Sequence, residues 1–172
     1  MSFILNHGEI LGIAGLAGSG QKELCETIAG IIPFEKGDVL VDGTSISGKS
    51  PRAIIQMGVS LGFIPEDRLG MGLVASMDIA DNVLLKDYAF EPGFLLKTDK
   101  ARIKAQKIVD ELEIQTPGIF HPVRKLSGGN IQKVILGREI NMNPKLLITA
   151  YAVRGLDINS SYTIYGLLNE QK

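Results

Sequence analysis

Gly15-Leu16-Ala17-Gly18-Ser19-Gly20-Gln21-Lys22-Glu23 is the stretch whose residue types and spacing bear most directly on chemistry. A phosphate-binding loop has glycine at its first and sixth positions, so that the backbone folds around an anion. A lysine then reaches the β- and γ-phosphates, and a Ser or Thr hydroxyl binds Mg²⁺. Gly15 and Gly20 keep that spacing, but Gln21 holds the lysine position and Lys22 the hydroxyl position. Backbone amides and the positive end of the helix that starts near Gln21 are still suited to hold phosphate, because those donors do not depend on side chains. Lys22 comes one residue late, a turn of roughly 100° and a rise of ~1.5 Å along a helix, so its ammonium need not reach the same oxygen. By itself the stretch reads equally as a glycine-rich strand-to-helix turn of the dinucleotide-binding or purely structural kind.

The elements that must position this loop follow from pattern. Residues 9–14 form an apolar, strand-like run into the loop, and a helix is expected over residues 21–29, closed by Gly30. Residues 37–43 alternate between glycines, as an antiparallel edge strand does. Ser50-Pro51 opens a short helix to about Met57, and residues 59–64 form a buried-strand candidate stopped by Pro65. Pro65-Glu66-Asp67-Arg68, with Gly70 and Gly72, is a polar loop leaving that strand. A buried strand that delivers three charges to a loop is a place for function, a solvated turn being the plainer alternative. Residues 76–85 are helical in pattern, and 88–96 are a connection with exposed aromatics. Thr98-Asp99 caps a helix to about Leu112 with Ala101, Ala105, Ile108, Val109 and Leu112 on one face.

With 172 residues, 45% of them hydrophobic and 22% charged, the chain can bury one ordinary core. No apolar run reaches membrane-spanning length and no signal peptide is recognisable, which reads as a soluble, cytosolic chain. The net charge of -1, without a Lys/Arg tract, argues against a nucleic-acid partner. Cys25, the sole cysteine, reads as a reduced packing residue.

A second informative stretch is Leu126-Ser127-Gly128-Gly129-Asn130, running into a helical pattern from Ile131 to Glu139. Ser127 and two glycines at a helix start again offer amides and a hydroxyl to an anion. This stretch resembles the signature motif of ABC transporter ATPases, and its extension through Asn130, Gln132, Lys133 and Val134 is similar to the version in sugar and nucleoside importers. The resemblance orders the rest. Gly15, Gly18, Ser19, Gly20, Gln21, Lys22 and Glu23 match the degenerate Walker A of the second ATPase half of such subunits, as nucleotide-binding residues. Glu66 falls at or next to the Q-loop position that couples nucleotide to permease. Leu146-Leu147-Ile148-Thr149 is similar to the Walker B strand, and Arg154-Gly155-Leu156-Asp157 to the D-loop.

Ala150 then stands where the family has its Mg²⁺-associated Asp, and Tyr151 where it has the catalytic Glu. Alanine has no oxygen for a metal's water shell, and a phenol, ionising near pH ~10, is a poor base at neutrality. Phosphoryl transfer rests on placing a cation and a nucleophile, so the changes at Gln21, Ala150 and Tyr151 all weaken this domain's own site. No residue is assigned to a catalytic or metal-binding role. The implied fold is an α/β P-loop NTPase core with a small antiparallel β portion over residues 1–75, a helical subdomain over 76–140, and, over 141–172, a strand, the D-loop and a helix that starts near Ser160.

The implied function is that of an ABC importer's nucleotide-binding domain for sugars or nucleosides, at the inner face of the membrane. Its own ATP and Mg²⁺ binding is in doubt. Ser127, Gly128, Gly129 and Asn130 would act in trans on a second ABC domain packed head to tail, with permease subunits and a solute-binding protein as further partners. The family's upstream adenine-stacking aromatic and downstream switch histidine have no match here, so an excised or truncated domain is expected, and His7 and His121 read as ordinary loop residues. Two alternatives remain: a competent ATPase that uses Lys22 with Glu23, Glu66 or Asp157 unconventionally, or a non-transport ABC protein. A structural α/β domain is the remainder.

Overall fold

The computed structural model describes residues 2–16, 18–33, 36–87, 98–153 and 155–171. In chain order they form α1 (Gln21–Ile28), β1 (Leu40–Val41), β2 (Thr44–Ser45), α2 (Pro51–Gln56), β3 (Leu61–Ile64), α3 (Ile79–Asp87), α4 (Thr98–Glu111), α5 (Gly128–Ile140), β4 (Leu146–Thr149) and α6 (Ile158–Asn169). A single π-helical turn, Arg68–Gly72, and a 3-10 turn, Val123–Lys125, complete the set.

Helix α4 shows how pattern becomes packing. Ala101, Ala105, Ile108 and Leu112 recur three or four residues apart, and all are buried. They meet Ile79 and Val83 of α3, Val134, Ile135 and Leu136 of α5 and Ile164 of α6 in the main core, which also takes in Ile64 at the end of β3. Each fully buried aliphatic side chain there contributes about 1.5–3 kcal/mol, so the α3–α6 body is held chiefly by apolar burial. A smaller cluster of Val41, Ile46, Ile54 and Val59 lies beneath the β1–β2 hairpin and α2.

Strands β1 and β2 pair antiparallel, Leu40 opposite Ser45. Strands β3 and β4 pair parallel from Leu61↔Leu146 to Ile64↔Thr149, and the ladder continues where Ala150 N donates to the Ile64 carbonyl at 2.8 Å. Parallel strands point their C-terminal ends the same way, so the loop after β3 and the loop after β4 share one edge. That single pairing brings residues 65–68 beside 150–151.

Several expectations change in detail. Residues 9–14 are exposed throughout, and among the described residues no ladder pairs them; an extended run becomes a strand only when a neighbour accepts and donates its backbone bonds. The polar loop after β3 contains the π-turn, started by Asp67, whose Oδ1 accepts from Gly70 N at 2.9 Å. Helix α3 begins at Ile79, not Ser76, because Asp78 Oδ1 accepts from Asp81 N at 2.8 Å and starts the helix there. The connection expected over residues 88–96 lies outside the described residues. Among the described residues no helix is long and apolar enough to cross a membrane.

Helix α6 begins two residues before the expected Ser160, because Asp157 is its N-cap: Oδ1 accepts from Ser160 N at 2.9 Å and Oδ2 from the Ser160 hydroxyl at 2.7 Å. These bonds, the backbone one foremost, hold the Asp157 carboxyl below its ordinary value. A carboxyl depressed by folding adds stability above its unfolded value, about 3.9, and that stability is lost as pH falls through the folded value. Asn caps as well as Asp but does not titrate. Thermal melts should therefore show a margin of wild type over Asp157→Asn at neutral pH that shrinks as acid takes the pH down through the folded value of the carboxyl.

Candidate functional site

The glycine-rich loop closes onto α1 through Gly20, whose φ of +96° is a left-handed conformation that a side chain would strain. No side chain caps α1, so the first-turn amides keep their donors for another acceptor. Ser19 N donates to the Leu16 carbonyl at 3.0 Å, which tightens the loop. Gln21 folds back over it: a Cβ on Gly15 would collide with the Gln21 amide nitrogen. A neutral donor thus lies at the place where the phosphate-binding pattern has a cation. Lys22 turns along the helix instead, its Nζ 3.8 Å from Glu26 Oε1.

Beside α1 opens a cavity of about 670 Å³. Lys22, Cys25 and Glu26 line one wall, the chain from Pro65 to Leu69 another, and Ala150 and Gly155 the edge supplied by β4. Burial pushes the Cys25 thiol up from its ordinary value, which disfavours the reactive thiolate. Tyr151, next to Ala150, has a φ of +55° and is half-exposed. Neither Ala150 nor the phenol of Tyr151 offers the carboxylate that a hard cation takes as ligand, so this edge does not fit Mg²⁺. Among the described residues no cluster of His, Cys, Asp and Glu is arranged to hold a metal ion.

Ser127 caps α5, its Oγ accepting from Asn130 N at 3.4 Å. Asn130 is engaged on both sides with Gln115: Oδ1 accepts from Gln115 N at 3.1 Å and Nδ2 donates to the Gln115 carbonyl at 3.2 Å. Its side chain therefore anchors the turn to the α4–α5 connection and does not face solvent as a free ligand. Gly129 packs on Ser160, a Cβ there lying 3.2 Å from the Ser160 hydroxyl, so the 127–129 turn adjoins the Asp157 cap. The structure thus groups Lys22, Glu66 and Ala150 around the cavity and Ser127, Gly129 and Asp157 in a second cluster, in which Ser127 and Asp157 are exposed.

Comparison with known proteins decides the family. The ABC transporter family model matches residues 1–149.

The chain belongs to the ABC transporter family.

The guanosine import ATP-binding protein NupO of Bacillus subtilis is 40% identical to it, over 100% of this chain and 34% of that protein. A xylose import ATP-binding protein, XylG, of Moorella thermoacetica is 39% identical over 98% of this chain and 33% of that protein. A ribose import ATP-binding protein, RbsA, of Geobacillus kaustophilus is 37% identical over 99% of this chain and 34% of that protein. This ABC chain spans about a third of the length of these relatives. The dimeric ATP-binding cassette MJ0796, in a post-hydrolysis state bound to ADP and Pi, superposes with a TM-score of 0.83 at 22% identity, over 98% of this chain and 73% of that one. The fold is therefore the P-loop NTPase fold of ABC ATPases.

Sequence reasoning missed the charged network beneath this ABC site. Glu139, fully buried, accepts from Phe63 N at 3.1 Å, from Lys86 Nζ at 2.9 Å and from Arg138 Nε at 3.0 Å. The adjacent Arg-Glu in a largely apolar helical face is the signal that points to it, since charges at core positions persist when paired.

Proposed function

We propose that this chain is a nucleotide-binding domain of an ABC importer for sugars or nucleosides. Its own ATP site is degenerate, and Ser127, Gly128 and Gly129 complete the site of a second ABC domain packed head to tail. Residues 76–140 serve as the helical subdomain turned toward the permease, and the chain works on the cytoplasmic side of the membrane, with a solute-binding protein as an indirect partner. The observation that carries this reading is the contrast between the two clusters: a formed, capped and exposed signature turn against a β4 edge ending in Ala150 and Tyr151. The import ATP-binding proteins at 37–40% identity support the transport class.

Titration calorimetry of the chain with ATP and ADP, with and without Mg²⁺, tests the degenerate site. Weak binding that Mg²⁺ does not strengthen is expected. Gln21→Lys should tighten ATP by about ten- to a hundredfold, as a hydrogen bond to a charged group contributes about 1.5–3 kcal/mol. Mg²⁺-dependent hydrolysis by the chain, abolished by Lys22→Ala, would instead establish the unconventional-ATPase alternative.

A further inference from the structure

An arginine from each side seats the π-turn Arg68–Gly72 on α5. At its start, Arg68 Nη1 donates to the Gly128 carbonyl at 3.4 Å, and a Cβ on Gly128 would lie only 3.2 Å from that nitrogen. At its end, the buried Arg138 donates Nη2 to the Gly72 carbonyl at 2.6 Å, and Ile135 packs so closely that a Cβ on Gly72 would lie 2.9 Å from it. Asp67 fixes where Arg68 departs by accepting from Gly70 N at 2.9 Å. The turn cannot slide along α5 without breaking a buried, charge-assisted bond.

The Gly128 carbonyl belongs to the same planar peptide unit as the Gly129 N–H, so holding one aims the other. A carbonyl has a second lone pair, so the Arg68 contact is compatible with the helical bond at the first turn of α5. Arg68 lies two residues beyond Glu66, on the loop that lines the cavity. We propose that Arg68 is a positioning residue, which orients the Gly129 amide of the signature turn and carries movement of the 65–68 loop directly into that turn. This coupling bypasses the degenerate nucleotide loop of the chain. It rests on the preceding reading that the turn serves a partner's nucleotide.

The test uses the full-length ATP-binding protein assembled with its permease in vesicles, with ATP turnover measured against ATP concentration and the melting temperature as control. Arg68→Ala should lower kcat about tenfold with KM changed less than about twofold, because misplacing a group that acts in the transition state lowers turnover before binding. Arg68→Lys, which keeps one donor, should recover at least about half of the lost turnover. Wild-type turnover in Arg68→Ala, where Ser127→Asp abolishes turnover, would overturn the proposal and leave the trans-acting reading standing. Wild-type turnover in both variants would overturn that reading and the proposal with it. Equal losses in Arg68→Ala and Arg68→Lys, with a matching fall in melting temperature, would show a role in folding alone and also overturn it.

Discussion

Replacing Ser127 by Asp is expected to lower ATP turnover of the assembled transporter by roughly a hundredfold or more, while the melting temperature stays within a few degrees of wild type. Asp is as good an N-cap as Ser, so the bond that Ser127 Oγ accepts from Asn130 N has a substitute and α5 keeps its start. What changes is the sign of the charge offered to an anion. A carboxylate about 4 Å from a phosphate oxygen opposes it by about 4 kcal/mol at an effective dielectric of about 20, enough for a loss of that size. Ser127→Ala is the poorer test, because it removes cap and hydroxyl together. Lys22→Ala should cost much less: its ammonium is half-exposed and paired at 3.8 Å with Glu26 of its own helix, and surface pairs contribute about 0–1 kcal/mol. A larger turnover loss in Lys22→Ala than in Ser127→Asp would reverse the assignment of the two clusters.

Glu139→Ala is expected to remove about 3–5 kcal/mol of stability, since it leaves the buried guanidinium of Arg138 without its carboxylate. For a chain of this size, where each kcal/mol shifts the midpoint by about 2–4 °C, the melting temperature should fall by about 6–20 °C. The loss is large because one side chain joins three elements and reaches a fourth through Arg138. Its Oε2 takes Phe63 N of β3 and Lys86 of α3, its Oε1 takes Arg138 of α5, and Arg138 in turn holds the π-turn through Gly72. Glu139→Gln, which keeps an acceptor for Phe63 N, should fall between Glu139→Ala and wild type. A double change to apolar residues should restore only part of the stability, because the Phe63 amide and the Gly72 carbonyl would lose their partners. Denaturant or thermal melts of the three variants check the order.

Local chemistry made much of the fold legible. Ser50-Pro51 announced α2, and Ser50 Oγ does accept from Ala53 N at 3.3 Å. The apolar spacing of residues 101–112 announced the buried face of α4, while β4 at residues 146–149 was expected from resemblance to the Walker B strand. Misplacements came where a side-chain cap moved a boundary, at Asp78 and Asp157, or where a run needed a partner strand, at residues 9–14. The π-turn was hidden because a loop rich in glycine and charge has no period to read; only Asp67 three residues before Gly70 marks it.

Side-chain chemistry at fixed positions was settled by sequence alone. No packing gives Ala150 a carboxylate or Gln21 a cation, and the resemblance of residues 126–130 to the ABC signature motif sufficed to place the chain among ABC ATPases. Only the tertiary structure decided that Arg68 meets Gly128, that Glu139 lies under Phe63, and that Asn130 is held by Gln115. These pairs are brought together by the parallel β3–β4 pairing and the α4–α5 packing. Contacts between residues so far apart along the chain leave no local pattern, because their energy arises only once the apolar core has closed around them.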